Sequence, residues 1–309
     1  MQSFFQTKTK KKRKPPLKST RNRFAYSMLV PGFAFYIPFR FLSIVAIFLM
    51  SFISWKGYNL KTIEWVGLAN FQRLFTDAIF WRSLWHSIQF VIVVVIVQTS
   101  FALLLAILLE QNIPLSKFIR GVYFMPTVLS LVVVGILFGF IFSPSNGILN
   151  KFLIMLGSEN PPGWLADPNL ALFVIMGITT WKEFGLSMFI FIAGLEAIPN
   201  DLFDAAKVDG ANNFNIFRHI ILPLLKETTT VVVVLTTINC LKVFDLIMVM
   251  TKGGPYYATE VLATRMYNQV FKNGNFGYGS SIAVILFSLT FVISLIQLKI
   301  RDRGEKIEY

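Results

Sequence analysis

The sequence predicts an all-α fold: a polytopic membrane protein with six transmembrane helices and a polar two-helix loop between the fourth and fifth. Three observations carry that prediction. Hydrophobic residues make up 55% of the 309-residue chain and charged residues 15%, against roughly 45–50% and about 25% in soluble domains. Six apolar runs, about residues 28–55, 85–110, 122–143, 170–194, 227–250 and 280–299, are each long enough to cross a bilayer core, which takes ~20 residues. Between the fourth and fifth runs lies an island, residues 196–225, that is polar and yet patterned as helix.

Residues 1–27 form a basic tail with nine of the 29 Lys and Arg, among them Lys10-Lys11-Lys12-Arg13-Lys14. The net charge of +13 would suit a nucleic-acid binder, but no basic stripe is interleaved with stacking aromatics. Nucleic acid is therefore not an expected partner. The tail fits a positive-inside segment beside anionic lipid. The run from Met28 to Trp55 exceeds a signal-peptide h-region, and no small-residue cleavage site follows, so it is taken as an uncleaved first span.

With the N-terminus inside, the inner segments carry 18 Lys and Arg and the outer ones eight. That difference puts both termini, including the 301–309 tail, in the cytoplasm. The basic tail carries this argument, since without it the counts are nine and eight. The outer segment 144–169 holds an amphipathic stretch, Gly147 to Leu153. Segment 251–279 opens with Lys252-Gly253-Gly254-Pro255 and continues into a helical stretch near 259–272. Each fits either an interfacial helix or a docking surface for an extracellular partner.

No motif points to catalysis. A G-x-x-x-x-G-K-[ST] loop for nucleotide phosphates is missing, as is a G-x-S-x-G elbow. His86 and His219 lie on separate segments without metal-ligand spacing. Cys240 is the sole cysteine, so neither an intrachain disulfide nor a thiolate metal site is expected.

The polar island can be built from its residues. Pro199-Asn200 suits a helix start, and Asp201 and Asp204 favour its positive end. Gly210 can take the left-handed conformation that closes a helix, at a cost of ~1–2 kcal/mol to other residues. Asn212 or Asn213 can cap a second helix running toward Pro223. Leu202, Phe203 and Val208 give the first helix an apolar side, and Ala205 and Ala206 leave room for close approach.

The stretch Phe203-Asp204-Ala205-Ala206-Lys207-Val208-Asp209-Gly210-Ala211, followed by Ile220-Ile221-Leu222-Pro223, resembles the EAA loop of ABC importer permeases. Asp204 stands where that family most often has Glu. Val66-Gly67-Leu68-Ala69-Asn70-Phe71, Trp181-Lys182-Glu183-Phe184-Gly185, and the segment from Phe244-Asp245 to Gly254-Pro255 are similar to signatures of the sugar-type branch, which includes the maltose and glycerol-3-phosphate permeases. The resemblance spans residues 28–300. It implies a non-catalytic permease subunit of a bacterial cell membrane, forming half the pathway of an ATP-driven sugar or oligosaccharide importer. It also implies a second, related permease, two copies of a cytoplasmic ATPase that holds ATP and Mg, and an extracellular or periplasmic solute-binding protein; this chain itself would bind no cofactor. The implied ATPase-coupling residues are Leu202, Phe203, Asp204, Ala205, Ala206, Asp209 and Gly210.

Polar residues inside spans are costly and mark pathway candidates. On span five, Asn239, Lys242 and Asp245 follow at i, i+3 and i+6, on one side of a helix. Either Lys242 and Asp245 pair with each other, or the set faces the pathway and meets sugar hydroxyls. Thr179, Thr180, Lys182 and Glu183 on span four offer the same alternatives, and Trp181 is a stacking platform or a packing residue. Arg40 snorkels or pairs, and Gln98 and Thr99 join helices. A glycerol-phosphate-type solute would want cations, and Lys182 and Lys242 supply two. A secondary transporter would want an ion relay and an internal repeat; neither is evident.

With Cys240 replaced and a cysteine placed at Lys207, an impermeant thiol reagent is expected to label the chain from the cytoplasmic side alone. Labelling from outside intact cells would overturn the six-span arrangement.

Overall fold

A computed structural model describes residues 19–57, 59–110 and 114–302; residues 1–18 of the basic tail and 303–309 at the other end lie outside the described residues. The chain divides into two units, up to Ile47 and from Phe48 onward. In the first, α1 (Ser19–Tyr36) passes through a π turn, Ile37–Phe41, into α2 (Leu42–Met50). Pro38 has no N–H for the regular ladder, and the wider turn accommodates it, with the Leu42 N–H reaching back to the Ile37 carbonyl. Every residue from Tyr26 to Ile47 is exposed, so this apolar helix suits lipid or a second chain rather than water. Arg40 forms no ion pair among the described residues.

The second unit opens with a short antiparallel ladder, β1 (Ile53–Ser54) and β2 (Glu64–Trp65), Ile53 opposite Trp65. Asn70 ties it down by donating to the Ser51 and Ile53 carbonyls at 2.9 and 2.8 Å. Next come α3 (Ala69–Thr76), α4 (Ala78–Glu110), α5 (Ser116–Val128), α6 (Leu131–Ile141), α7 (Ile148–Met155) and α8 (Ala171–Glu196). The polar island follows as α9 (Asn200–Val208), α10 (Asn213–Ile216), a π turn (Phe217–Ile221) and α11 (Leu222–Leu224). The chain ends with α12 (Lys226–Leu241), α13 (Asp245–Met250), α14 (Leu262–Tyr267), a π turn (Asn268–Lys272) and α15 (Phe276–Asp302).

Five stretches are long and apolar enough to cross a membrane: Tyr26–Met50, Ala78–Glu110, Ala171–Glu196, Lys226–Met250 and Phe276–Ile300. The pair α5–α6 makes a sixth if it counts as one span. The protein is thus an all-α, multi-pass membrane protein. The first run, expected to reach Trp55, leaves the helix at Met50, and Ile53–Ser54 pair as a strand instead; three further elements differ from the sequence expectation in where they start or in their course. The second span begins at Ala78 rather than near 85, because Asp77 caps it: its Oδ1 accepts from the Ile79 and Phe80 N–H groups at 2.9 and 3.3 Å. The third run is not straight. It bends by 94° between Val128 and Leu131, where Leu129 and Ser130 are extended and Pro126 has already removed a helical N–H. The fifth run is interrupted: α12 stops at Leu241, and Val243 and Phe244 are not helical.

The spans are held together by close crossings and by a buried polar joint. A Cβ at Gly185 would meet the Tyr123 carbonyl oxygen at 2.5 Å, so α8 and α5 approach backbone to backbone, which only glycine permits there. Gln98 of α4 donates to Ser187 of α8 at 2.9 Å and to Thr236 of α12 at 3.3 Å, which confirms it as a helix-joining residue.

At the end of the bundle opposite the polar island, Asp77 pairs with Arg265 at 2.8 Å and accepts a hydrogen bond from Tyr278. Burial alone would raise the Asp77 carboxyl pKa, but the Tyr278 and Arg265 contacts outweigh it and hold the group below the usual carboxylate range. A depressed carboxyl stabilises the fold above its unfolded value, ~3.9, and the contribution fades as pH falls through the folded value. Asp77→Asn strands Arg265, whose side chain is 10% exposed, and is expected to cost about 3–5 kcal/mol. Melting of the detergent-purified chain from about pH 3 to pH 7 checks this. The variant should melt lower at neutral pH and lose less on acidification; two parallel curves would refute it.

Candidate functional site

The polar island is a capped two-helix loop. The first helix, α9, ends in a Schellman arrangement. The Ala211 N–H bonds the Ala206 carbonyl at 2.9 Å, the Gly210 N–H bonds the Lys207 carbonyl at 3.1 Å, and Gly210 has φ +78°. Asn212, not Asn213, caps the second helix, its side chain accepting from the Asn215 N–H at 2.8 Å. Phe203 and Ala206 face inward, into a cluster that includes Ile198, Ile216, Ile221 and Leu225, Ala106 and Leu109 of α4, and Phe191 and Leu195 of α8. The loop is therefore rooted in the ends of two spans.

The seven residues implied for coupling divide between two faces. Phe203 and Ala206 root the loop, and Leu202, Asp204, Ala205, Asp209 and Gly210 are exposed. The expected single apolar side of α9 is corrected. Leu202 is 38% and Val208 87% exposed, away from the cluster that holds Phe203, because positions 203 and 206 share the inward face at helical spacing and 208 does not. The Asp204–Lys207 pair, 3.4 Å apart with side chains 72% and 66% exposed, adds little stability. These charges are free to meet another surface.

Within the spans the expected alignment of Asn239, Lys242 and Asp245 on one helix face does not form, because the helix breaks at Lys242–Phe244. Nor do Lys242 and Asp245 pair: no ion pair joins them among the described residues. Lys242 closes the C-terminal end of α12 and Asp245 opens α13, so each charge already sits at the helix end whose dipole suits it. Both are exposed, as is Asn239, whose amide makes no hydrogen bond among the described residues.

In α8, Lys182 is buried and committed. Its ammonium donates to Glu183 at 2.7 Å and to the Thr127 carbonyl at 3.3 Å, and Thr127 Oγ1 donates back to the Lys182 carbonyl at 3.0 Å. Thr180 is half-buried. Thr179 is buried, its hydroxyl turned back to the Ile175 carbonyl. Trp181 lies edge-to-face on Phe138 of α6, ring centres 5.1 Å apart, and remains 38% exposed. Sequence reasoning missed Arg120, which meets the last residues of α4 and α8 beside the loop. Its partners lie 10 and 76 positions away, and the one available signal was a glutamate at the end of the second apolar run, Glu110, and another just past the fourth, Glu196.

Residues 98–303 match the family of the binding-protein-dependent transport system inner membrane component. The chain belongs to this family. The matched region of this inner membrane component runs from within α4 to the end of α15 and contains the polar loop and both broken spans. A probable ABC transporter permease protein of Pyrococcus horikoshii is 34% identical over 279 residues, covering 90% of this chain and 95% of its own length. The trehalose/maltose transport system permease protein of Thermococcus litoralis is 31% identical over 290 residues, covering 92% and 95%. A chain of a crystallised bacterial ABC transporter for import of the acidic polysaccharide alginate matches in fold with a TM-score of 0.83 at 22% identity, covering 93% of this chain and 98% of that one. Permease subunits of this kind are the non-catalytic membrane component of their transporters.

Nothing lies within 4 Å of a Cβ built at Gly210, so its requirement is one of backbone conformation alone. Gly210→Val should strain the turn by about 1–2 kcal/mol, while Gly210→Asn, a residue that tolerates the left-handed region, should be close to neutral. The expected result in membrane vesicles is lost transport and weaker ATPase association for Val, with normal membrane insertion, and near-normal transport for Asn. Equal transport by both variants would show that transport does not depend on the backbone conformation at Gly210.

Proposed function

We propose that this permease forms half of the translocation pathway of an ATP-driven importer for a sugar or oligosaccharide, with α9–α11 as the contact for a cytoplasmic ATPase. The carrying observation is the polar loop: two capped helices anchored by Phe203 and Ala206 in the ends of α4 and α8, with Asp204, Ala205 and Asp209 left outward. Such an element moves as a body, and packed helices respond to it by switching between discrete arrangements. The trehalose/maltose relative supports a carbohydrate substrate, as do the signatures around Trp181 and Gly253-Gly254-Pro255.

The remaining parts follow from this reading. A second, related permease supplies the other half of the pathway, and two ATPase copies hold the ATP and Mg. A solute-binding protein delivers solute at the end opposite the loop, and both termini are cytoplasmic. Asn239, Lys242, Asp245, Thr180 and Trp181 are the pathway candidates, with Asn239 the best placed to meet a hydroxyl. A glycerol-phosphate-type solute is the second reading. It is weakened by Lys182, whose ammonium is already taken by Glu183 and Thr127, leaving Lys242 as the exposed cation of the two.

The experiment is purification of the tagged chain with its partners, identified by mass spectrometry, followed by uptake of radiolabelled maltose and trehalose into proteoliposomes. Expected are an ATPase, a second permease, and sugar uptake that requires ATP. Asn239→Ala should lower uptake while leaving assembly and melting temperature unchanged. Recovery without an ATPase, or uptake indifferent to ATP, would defeat the proposal.

A further inference from the structure

Arg120 makes a three-way contact beside the polar loop. It lies one turn into α5. Its Nη1 donates to Glu196 Oε1 at 3.0 Å, and its Nη2 donates to Glu110 Oε2 at 2.9 Å and to the Leu109 carbonyl at 3.1 Å. Glu110 is the last residue of α4 and Glu196 the last of α8. A carboxylate at a helix C-terminus is opposed by the helix dipole. Both carboxylates and the Leu109 carbonyl are met by one guanidinium, whose planar fork can reach two carboxylates at once. The Arg120 side chain is 19% exposed, its partners 36% and 55%, so solvent screens the contact only in part.

The position of the contact gives it a role. Only Ala197, Ile198 and Pro199 separate Glu196 from α9, and Ile198 is buried in the cluster that roots the loop. At the far end of α5, before the 94° bend, Lys182 of the same α8 holds the Thr127 carbonyl. Helix α5 is therefore gripped by α8 near both ends, at Arg120 and at Thr127.

We infer that Arg120 is a positioning residue for energy coupling, fastening the ends of α4, α5 and α8 to the base of the polar loop so that displacement of α9 reaches the bent α5–α6 span. The inference rests on the ATP-coupled reading above. Without Arg120, the loop and α5 shift independently and motion is absorbed at the loop's base.

The test uses the full complex in proteoliposomes and measures sugar taken up per ATP hydrolysed. Arg120→Gln should assemble and hydrolyse ATP at a near-normal rate while uptake per ATP falls about fivefold or more, the scale of a single coupling free energy. Arg120→Lys, which keeps the charge but not the fork, should recover part of it. Glu196→Gln, at an exposed position that folding tolerates, should fall in the same direction if Arg120→Gln is not obtained folded. A parallel loss of uptake, hydrolysis and melting temperature would mark a merely structural residue, and an unchanged ratio would remove the role. Spin labels at Lys207 and Phe118 read the link without transport. Their distance distribution should be narrow in the unaltered complex and broad in Arg120→Gln; an unchanged distribution overturns the inference even if sugar uptake itself proves not to depend on ATP.

Discussion

A backbone carbonyl inside a bilayer has no water to fall back on, and the shape of this permease depends on how that demand is met at the α5–α6 bend. The break leaves the last carbonyls of α5 without helical donors. Lys182 supplies one to Thr127, Thr127 returns one from its hydroxyl, and Glu183 balances the buried ammonium. Take the lysine away and α8 would leave an unpaired carbonyl and an unpaired carboxylate at the same crossing. Gly185, one turn further along α8, lets the two helices come close enough for the exchange. A residue that sequence alone offers as a possible phosphate-binding cation is thus committed to architecture.

The loop follows a different logic. Its helices are too short to be stable alone, and they are ordered because Phe203, Ala206, Ile216 and Ile221 lie in the same apolar cluster as the ends of α4 and α8. Capping fixes the angle between them at Gly210 and Asn212. The outward face is left polar and lightly paired. An element built this way is stiff toward its own protein and adaptable toward a partner, which is what transmission of a push requires.

Much of this was legible in the sequence, for identifiable reasons. Long apolar runs announce spans, and Gly210 and Asn212 announce a helix stop and a cap because few residues tolerate those positions. The family resemblance lay in local strings such as Asp204 to Gly210. The breaks at Leu129–Ser130 and at Lys242–Phe244 were hidden from hydropathy because long apolar runs flank each one, so that Ser130, Lys242 and Asp245 lower the average of their spans only slightly. The inward face of α9 was misjudged because Leu202 and Val208 are as apolar as Phe203, and only the surrounding spans decide which face is covered. Arg120 escaped notice because its partners are distant in the chain and no pattern of local spacing encodes them.

The separation of Lys242 from Asp245 also bears on motion. Each charge is stabilised by the end of its own helix, Lys242 by α12 and Asp245 by α13. Each therefore carries its counter-field with it wherever its helix goes. Opening or closing the gap between α12 and α13 separates no ion pair in a low-dielectric medium, so the electrostatic barrier to rearrangement at that break is small. The two half-helices behave like bar magnets with capped poles, and what holds the angle between them is the apolar packing of Val243, Phe244, Leu246 and Ile247 rather than charge.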